Sequence, residues 1–335
     1  MKRVLLQLLC LLLFGISRAN AQYYLDETGN HTTDMNKAYY SRKVTPEFKD
    51  GKQQYIVLEK FVSNDKVKTS GISLSGKAPY NYIGHKETYY PDGMPKSKET
   101  FNAKGYLIDT AYYYYPSGKI HLITLNNGTN NITWQYNSTT QYLAYFDSLG
   151  IRKIENGNGI IHFKTGFKND FEEGPLVNNK REGEWQGKST DIIPHTFKEY
   201  YKDDNLLYGE MTKNDGTISR YDSTNYNIDP TYSEGIGKLM QFISNNYNCP
   251  SKALKAGASG TILIGFFIEK DGSLSDFRIF QDLGFGTGDA GIAVIKKSKK
   301  WIPRVYKGES VRVAYMLPIR LNLQKDSRTV AKVGS

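Results

Sequence analysis

Five histidines, His31, His85, His121, His162 and His195, are the side chains of this chain best suited to metal binding or proton transfer near neutral pH. None stands at the spacing that would put two imidazoles on one helix face, so the local sequence supports no metal site. Nucleophilic catalysis has no better footing: Gly71-Ile72-Ser73-Leu74-Ser75-Gly76 has serine where a nucleophile elbow needs its second glycine. Gly286-Thr287-Gly288-Asp289-Ala290-Gly291 fits the dinucleotide-binding pattern, between a predicted strand and a predicted helix. That motif also demands a parallel crossover unit, whereas the strands before it read as a hairpin and a single strand follows. The glycines are therefore expected to turn the chain into a helix, with Asp289 near its N-terminus, where a carboxylate favours exposed amides. Carboxylates are plentiful, but their sequence positions do not show any pair converging on a substrate. The expectation is a protein that is not an enzyme and holds no cofactor or metal.

Cys10 and Cys249 are the two cysteines. Cys10 lies in an apolar run, residues 4–16, that follows Lys2 and Arg3 and ends before Ala19-Asn20-Ala21, the small residues signal peptidase requires. Residues 1–21 thus read as a signal peptide cut before Gln22, since a run of that length falls short of the roughly 20 apolar residues needed to span a bilayer. The expected location is the periplasm, in association with the outer membrane. With Cys10 removed, Cys249 has no partner within the chain. Its expected role is a small buried apolar thiol, with an intermolecular disulfide as the alternative.

The net charge is +10 over 335 residues, and it is unevenly spread. Residues 231–335 carry 16 Lys and Arg against 8 Asp and Glu, while residues 22–230 carry 25 against 26. A basic C-terminal part suggests an anionic partner surface, and export argues against nucleic acid. The Lys296-Lys297-Ser298-Lys299-Lys300 cluster is expected to be a solvated helix face.

Of the 26 tyrosines, 22 fall in residues 22–230 among Asn, Gly, Asp and Lys, a composition of short strands and turns. Tyr89-Tyr90-Pro91-Asp92-Gly93 recurs as Tyr114-Tyr115-Pro116-Ser117-Gly118, and looser copies start at Phe101 and Phe146. Each copy brings an aromatic strand end to a tight turn, and an apolar residue restarts the chain. Asn179-Lys180-Arg181-Glu182-Gly183-Glu184-Trp185, with Tyr200-Tyr201 and Leu206, resembles a MORN-type repeat. Gly84-His85-Lys86-Glu87-Thr88-Tyr89-Tyr90 has a similar shape. The expectation for residues 22–225 is a β-rich meander of MORN-like hairpin repeats. Its tyrosines either pack the sheet or stack on sugars, and peptidoglycan or another anionic glycan is the alternative partner.

Residues 235–247 place Ile236, Leu239, Met240, Ile243 and Tyr247 at helical spacing. A short helix is expected over 250–256, opened by Pro250 and closed by Gly257. Strands over 261–268 and 274–283 flank the Lys270-Asp271-Gly272-Ser273 turn, a helix follows over 289–300, and Trp301-Ile302-Pro303 makes a corner. In residues 311–323 the odd positions are apolar, and Pro318 places that strand at a sheet border, because proline has no amide to donate.

This order resembles the C-terminal domain of TonB over residues 231–323. The resemblance implies an α+β domain, a three-stranded antiparallel sheet with two helices, and a disordered basic tail is expected after it, over 324–335. It also implies a partner, an outer-membrane TonB-dependent transporter, whose box peptide would join the last strand. Carried over, the recruiting backbone is Val311, Arg312, Val313, Ala314 and Tyr315. The loop Asn246, Tyr247 and Asn248 is the second contact. Asn248-Cys249-Pro250 departs from the family, which commonly has tyrosine before this proline. A membrane anchor and a proline-rich rod, which energy-transducing members carry, are not read in this chain. A homodimer is kept as an alternative assembly.

Overall fold

A computed structural model describes residues 22–129, 136–165 and 170–322. The leader and the basic tail lie outside the described residues. The chain separates into two compact units, residues 1–187 with 201–204, and residues 188–200 with 205–335.

The first unit is an antiparallel meander. Strands Tyr40–Lys49, Lys52–Phe61, Val67–Ser73, Tyr82–Tyr89, Pro95–Phe101, Leu107–Tyr114 and Ile120–Asn127 each pair with the next. Gln141–Phe146 continues the order between Ile120–Asn127 and Arg152–Glu155, and Asn158–Lys164 then pairs with Phe171–Val177. Alternation sorts the side chains: Val57, Leu107, Ala111, Tyr113, Ile154 and Ile161 lie fully inside, while strand neighbours such as Tyr112 and Ile160 face out.

The recurrent aromatic–glycine motif forms one turn used repeatedly. Tyr90 donates its amide to Met94 O and Gly93 donates to Tyr90 O, both at 2.8 Å, and Tyr115, Lys119 and Gly118 repeat the pair at 2.9 and 2.8 Å. The copies at Asn102 and Asp147 close in the same way. Gly93 and Gly118 have φ of 91° and 79°, so the last turn position sits in the left-handed region, where a Cβ is disfavoured. Side chains then tie the copies together. The Tyr90 hydroxyl donates to Tyr114 O at 2.8 Å, and the Tyr115 hydroxyl donates to Phe146 O at 2.9 Å. The spacing of the repeat thus fixes which tyrosine reaches which neighbouring turn.

In the second unit, helix α1 (Ile236–Asn246) buries Leu239 and Ile243. Helix α2 (Ser251–Ala256) begins after Pro250 and ends at Gly257, whose φ of 61° accommodates the left-handed cap. Strands β1 (Ser259–Ile268), β2 (Leu274–Gln281) and β3 (Val313–Asn322) form a three-stranded antiparallel sheet in the order β2-β1-β3. Helix α3 (Thr287–Lys296) lies between β2 and β3 in the chain. Ile262, Ile264, Phe266 and Ile268 of β1 join Leu317, Ile319 and Leu321 of β3, Leu239 and Ile243 of α1, and Val294 and Ile295 of α3 in one core. Each such side chain contributes about 1.5–3 kcal/mol by leaving water.

Three expectations need correction. Helix α3 ends at Lys296, and Lys297 is its C-terminal cap, so the rest of the lysine cluster is off the helix. There Lys299 meets Glu234 at 2.5 Å and Lys300 meets Asp271 at 3.4 Å. The Trp301 corner is a short strand, Trp301–Ile302, paired with Thr231–Tyr232. The strand expected from Val311 is divided, because Glu309–Val311 forms a separate hairpin with Arg304–Tyr306 and β3 starts only at Val313. The unbroken alternation of apolar residues concealed that division.

The dinucleotide-like glycines serve close packing. A Cβ on Gly291 would stand 2.4 Å from the Ile264 side chain, and one on Gly288 would stand 2.6 Å from Ile279. Those two positions let α3 lie directly on the sheet. Asp289 is in the first turn of α3, but the carboxylate that serves its amides is Asp282, whose Oδ1 accepts from Gly288 N at 2.9 Å and from the Thr287 hydroxyl at 2.5 Å. Asp282 sits before the glycines, outside the window in which a sequence reader looks for a cap.

Candidate functional site

The sheet of the second unit has two outer edges, and they differ. The β1–β2 ladder shifts register twice, between Leu263 and Ile264 and between Gly265 and Phe267, and Asp276 in β2 has a φ of 49°. Irregularity of this kind blunts an edge against further pairing. The β1–β3 ladder runs without a shift from Ile268↔Val313 to Ser259↔Asn322. β3 has β1 on one side and no described strand on the other.

Pro318 stands opposite Leu263 within this ladder. It costs no ladder bond only if its nitrogen faces away from β1, and residues two apart along a strand share that direction. Ala314 and Met316 therefore present both N–H and C=O outward. Pro318 has no N–H to offer, so continuous pairing with a guest is confined to residues 313–317. Met316 is 50% exposed and carries one of the two outward amides that remain, a position for apolar contact with a guest side chain. Composition gave no hint of Met316; its significance follows from the parity that Pro318 sets.

The expected site residues divide accordingly. Val313, Ala314 and Tyr315 are on the open edge, opposite Ile268, Phe267 and Phe266. Tyr315 is held by Trp301, with ring centroids 5.0 Å apart, and by Phe266 at 5.7 Å. Val311 is not on this edge: it is buried and paired with Arg304. Arg312 is exposed, but its guanidinium bonds Glu269 at 2.8 Å, reaches Asp276, and stacks 3.6 Å from the Phe267 ring centroid. The hydrogen bond to Glu269 holds the Arg312 pKa above its ordinary value, and the same bond holds the Glu269 carboxyl below its own. Arg312 thus fastens the start of β3 to the β1–β2 hairpin.

The second expected contact is more strongly altered. Tyr247 is buried, and its hydroxyl donates to Thr287 O at 2.9 Å. Burial raises its pKa, so it remains a neutral phenol that ties the end of α1 to α3. Asn246 is exposed and its amide returns to Phe242 O at 2.8 Å, while Asn248 is exposed beside it. Cys249 is half-buried against the core, and burial raises its pKa, which makes it a poor nucleophile.

The hairpin that took Val311 is anchored deep in the same unit. Lys307 is 4% exposed; its ammonium bonds Glu199, approaches the Tyr221 hydroxyl at 3.3 Å and stands 3.8 Å from the Phe197 ring centroid. Its amide donates to Tyr226 O at 2.6 Å, its carbonyl accepts from Ser219 Oγ at 3.1 Å, and Lys213 bonds Glu309 at 2.9 Å. Nothing in the spacing of lysines marked Lys307 as buried.

Among the described residues no group of three His, Cys, Asp or Glu side chains is placed to hold a metal ion. No helix of the described residues is long and apolar enough to cross a membrane. Residues 245–323 match the family model described as the Gram-negative bacterial TonB protein C-terminal. No curated protein matches the chain.

Proposed function

We propose that this chain is a non-catalytic, exported envelope protein whose C-terminal domain captures the box segment of an outer-membrane transporter by adding it to the sheet beside β3. The observation that carries this reading is the one-sided ladder of β3, regular along its whole length and open at residues 313–317. The family match over 245–323 supports the kind of partner. Exposed Asn246 and Asn248 are the second contact, with Tyr247 as their buried support.

Magnitudes set the expected affinity. Ala314 and Met316 together offer four backbone bonds, each worth about 0.5–1.5 kcal/mol net. Ordering a guest of that length costs about 1–2 kcal/mol per residue. Backbone bonds alone therefore fall short, and side-chain contact at Met316 and Tyr315 must supply the difference. The expected dissociation constant for a short peptide is about 10 μM to 1 mM. Titration of the full chain with transporter box peptides, followed by amide NMR, tests the reading. Binding should protect the amides of Ala314 and Met316 from solvent exchange. Failure to bind at about 1 mM peptide, or binding that leaves those amides unchanged, overturns it.

A further inference from the structure

The first unit contains a cavity of about 340 Å³ walled by neighbouring strands of the meander. Its lining includes Lys96, Tyr114, His121, Phe163 and Lys164, and no carboxylate. We propose that this cavity binds a small organic anion with a ring-shaped body, its carboxylate held by one of the lining lysines, Lys96 or Lys164, and its ring laid against the aromatic walls. The proposal is independent of strand addition, and it narrows the anionic-glycan expectation to one pocket.

Three features of the cavity select that chemistry. The first is the allocation of tyrosine hydroxyls. Tyr90 and Tyr115 use theirs on the carbonyls of Tyr114 and Phe146, so what they offer the cavity is ring surface, which suits a flat or chair-shaped body. The second is the surplus of donors. Lys96 and Lys164 carry no ion pair among the described residues, and the Tyr114 hydroxyl and the single N–H of the neutral His121 ring make no hydrogen bond there. A lining that offers donors and holds no acid is complementary to an acceptor-rich, negatively charged group. The third is the local field: burial, together with the nearby cations Lys68 and Lys86, holds the Lys96 ammonium below the ordinary lysine range. Lys68 and Lys86 are themselves paired with Glu59 and Glu99, at 2.7 and 2.9 Å, and of the three Lys96 alone has no ion pair among the described residues.

The walls are also set before any ligand arrives. The two tyrosine latches tie successive turns, and His121 packs between Tyr115 and Tyr145 with centroids 4.4 and 5.3 Å away. His162, also in the lining, is held to Glu173 at 3.0 Å. Little rotamer freedom of these aromatic walls remains to be lost on binding.

The test is isothermal titration of the full chain with two ring carboxylates, D-glucuronate for a saccharide source and benzoate for an aromatic one. Glucose and benzyl alcohol serve as their neutral counterparts. At least one carboxylate should bind in the range of about 0.1–10 mM, at least about tenfold more tightly than its neutral counterpart. The double substitution Lys96→Gln and Lys164→Gln should weaken it about tenfold or more, and Tyr114→Phe should weaken it a few-fold. Neither lysine makes an ion pair among the described residues, so the double variant should keep the wild-type melting temperature. Absence of binding by both carboxylates at about 10 mM, equal binding of the neutral compounds, or an unchanged affinity in the double variant overturns the proposal.

Discussion

Two side chains show how burial decides the behaviour of a charge in this protein. Lys307 is enclosed with Glu199, whose own exposure is 1%. Removing one member of such a pair leaves an uncompensated buried charge, so Lys307→Met is expected to cost about 3–5 kcal/mol in urea unfolding. The double change with Glu199→Gln should recover much of that loss. His121 illustrates the opposite case, an ionisable group kept neutral. Burial, and then the charges of His162 and Lys164, bring its pKa down to about 4 from 6.5. From pH 6.5 down to 4 the unfolded chain takes up a proton that the native state refuses, so stability falls as the solution is acidified across that window. Allowing for partial exposure, the loss is about 2 kcal/mol. His121→Phe should lose correspondingly less between pH 7.5 and 4.5, as read from urea midpoints. Sequence made His121 visible only as an isolated histidine, because what depresses its pKa comes from strands distant in the chain.

At the level of strands and helices, the proline of β3 carries the sharpest expectation. Met316→Pro replaces an outward amide while leaving the bonds to β1 intact, so it should abolish guest binding with a stability cost of no more than about 1 kcal/mol. The equivalent change at Tyr315 removes a bond to β1, and should unfold the edge by hydrogen exchange. If Met316→Pro binds the box peptide as the wild type does, β3 is not the receiving strand. Much at this scale was readable in advance. The period of the apolar residues located α1, β1 and the core side of β3, Asp271-Gly272 located the hairpin turn, and Pro318 located the border. The split at Arg312 was not readable, since Val311 and Val313 keep the same alternation on either side of it. Only the pairing of Val311 with Arg304 separates them, a contact made through the Lys307-Gly308 turn. Tyr247 misled for a related reason: aromatic residues at a helix end serve equally well as contacts or as anchors, and its bond to Thr287 O decides for the second.

For the whole molecule, the meander was legible because its turn motif recurs, whereas the tyrosine-walled cavity was not, since its lining spans residues 90–164. The limits of the C-terminal domain need more than the family match. A fragment of residues 231–335 lacks Glu199 and Tyr221, and so retains a buried Lys307 without its counter-charge. A fragment of residues 188–335 keeps both. The shorter fragment is expected to melt more than about 5 °C lower, by circular dichroism at equal concentration. Equal melting temperatures would mean that Lys307 turns to solvent once the earlier strands are gone.

The anchoring of the 304–311 hairpin has a mechanical corollary. β3 leaves that hairpin through Arg312, and the hairpin is fastened through Lys307 to Glu199, Ser219 and Tyr226 and through Glu309 to Lys213. A tug on a guest strand docked beside β3 would be borne by a cross-braced block, with the ion pair sheared rather than a slack connector straightened.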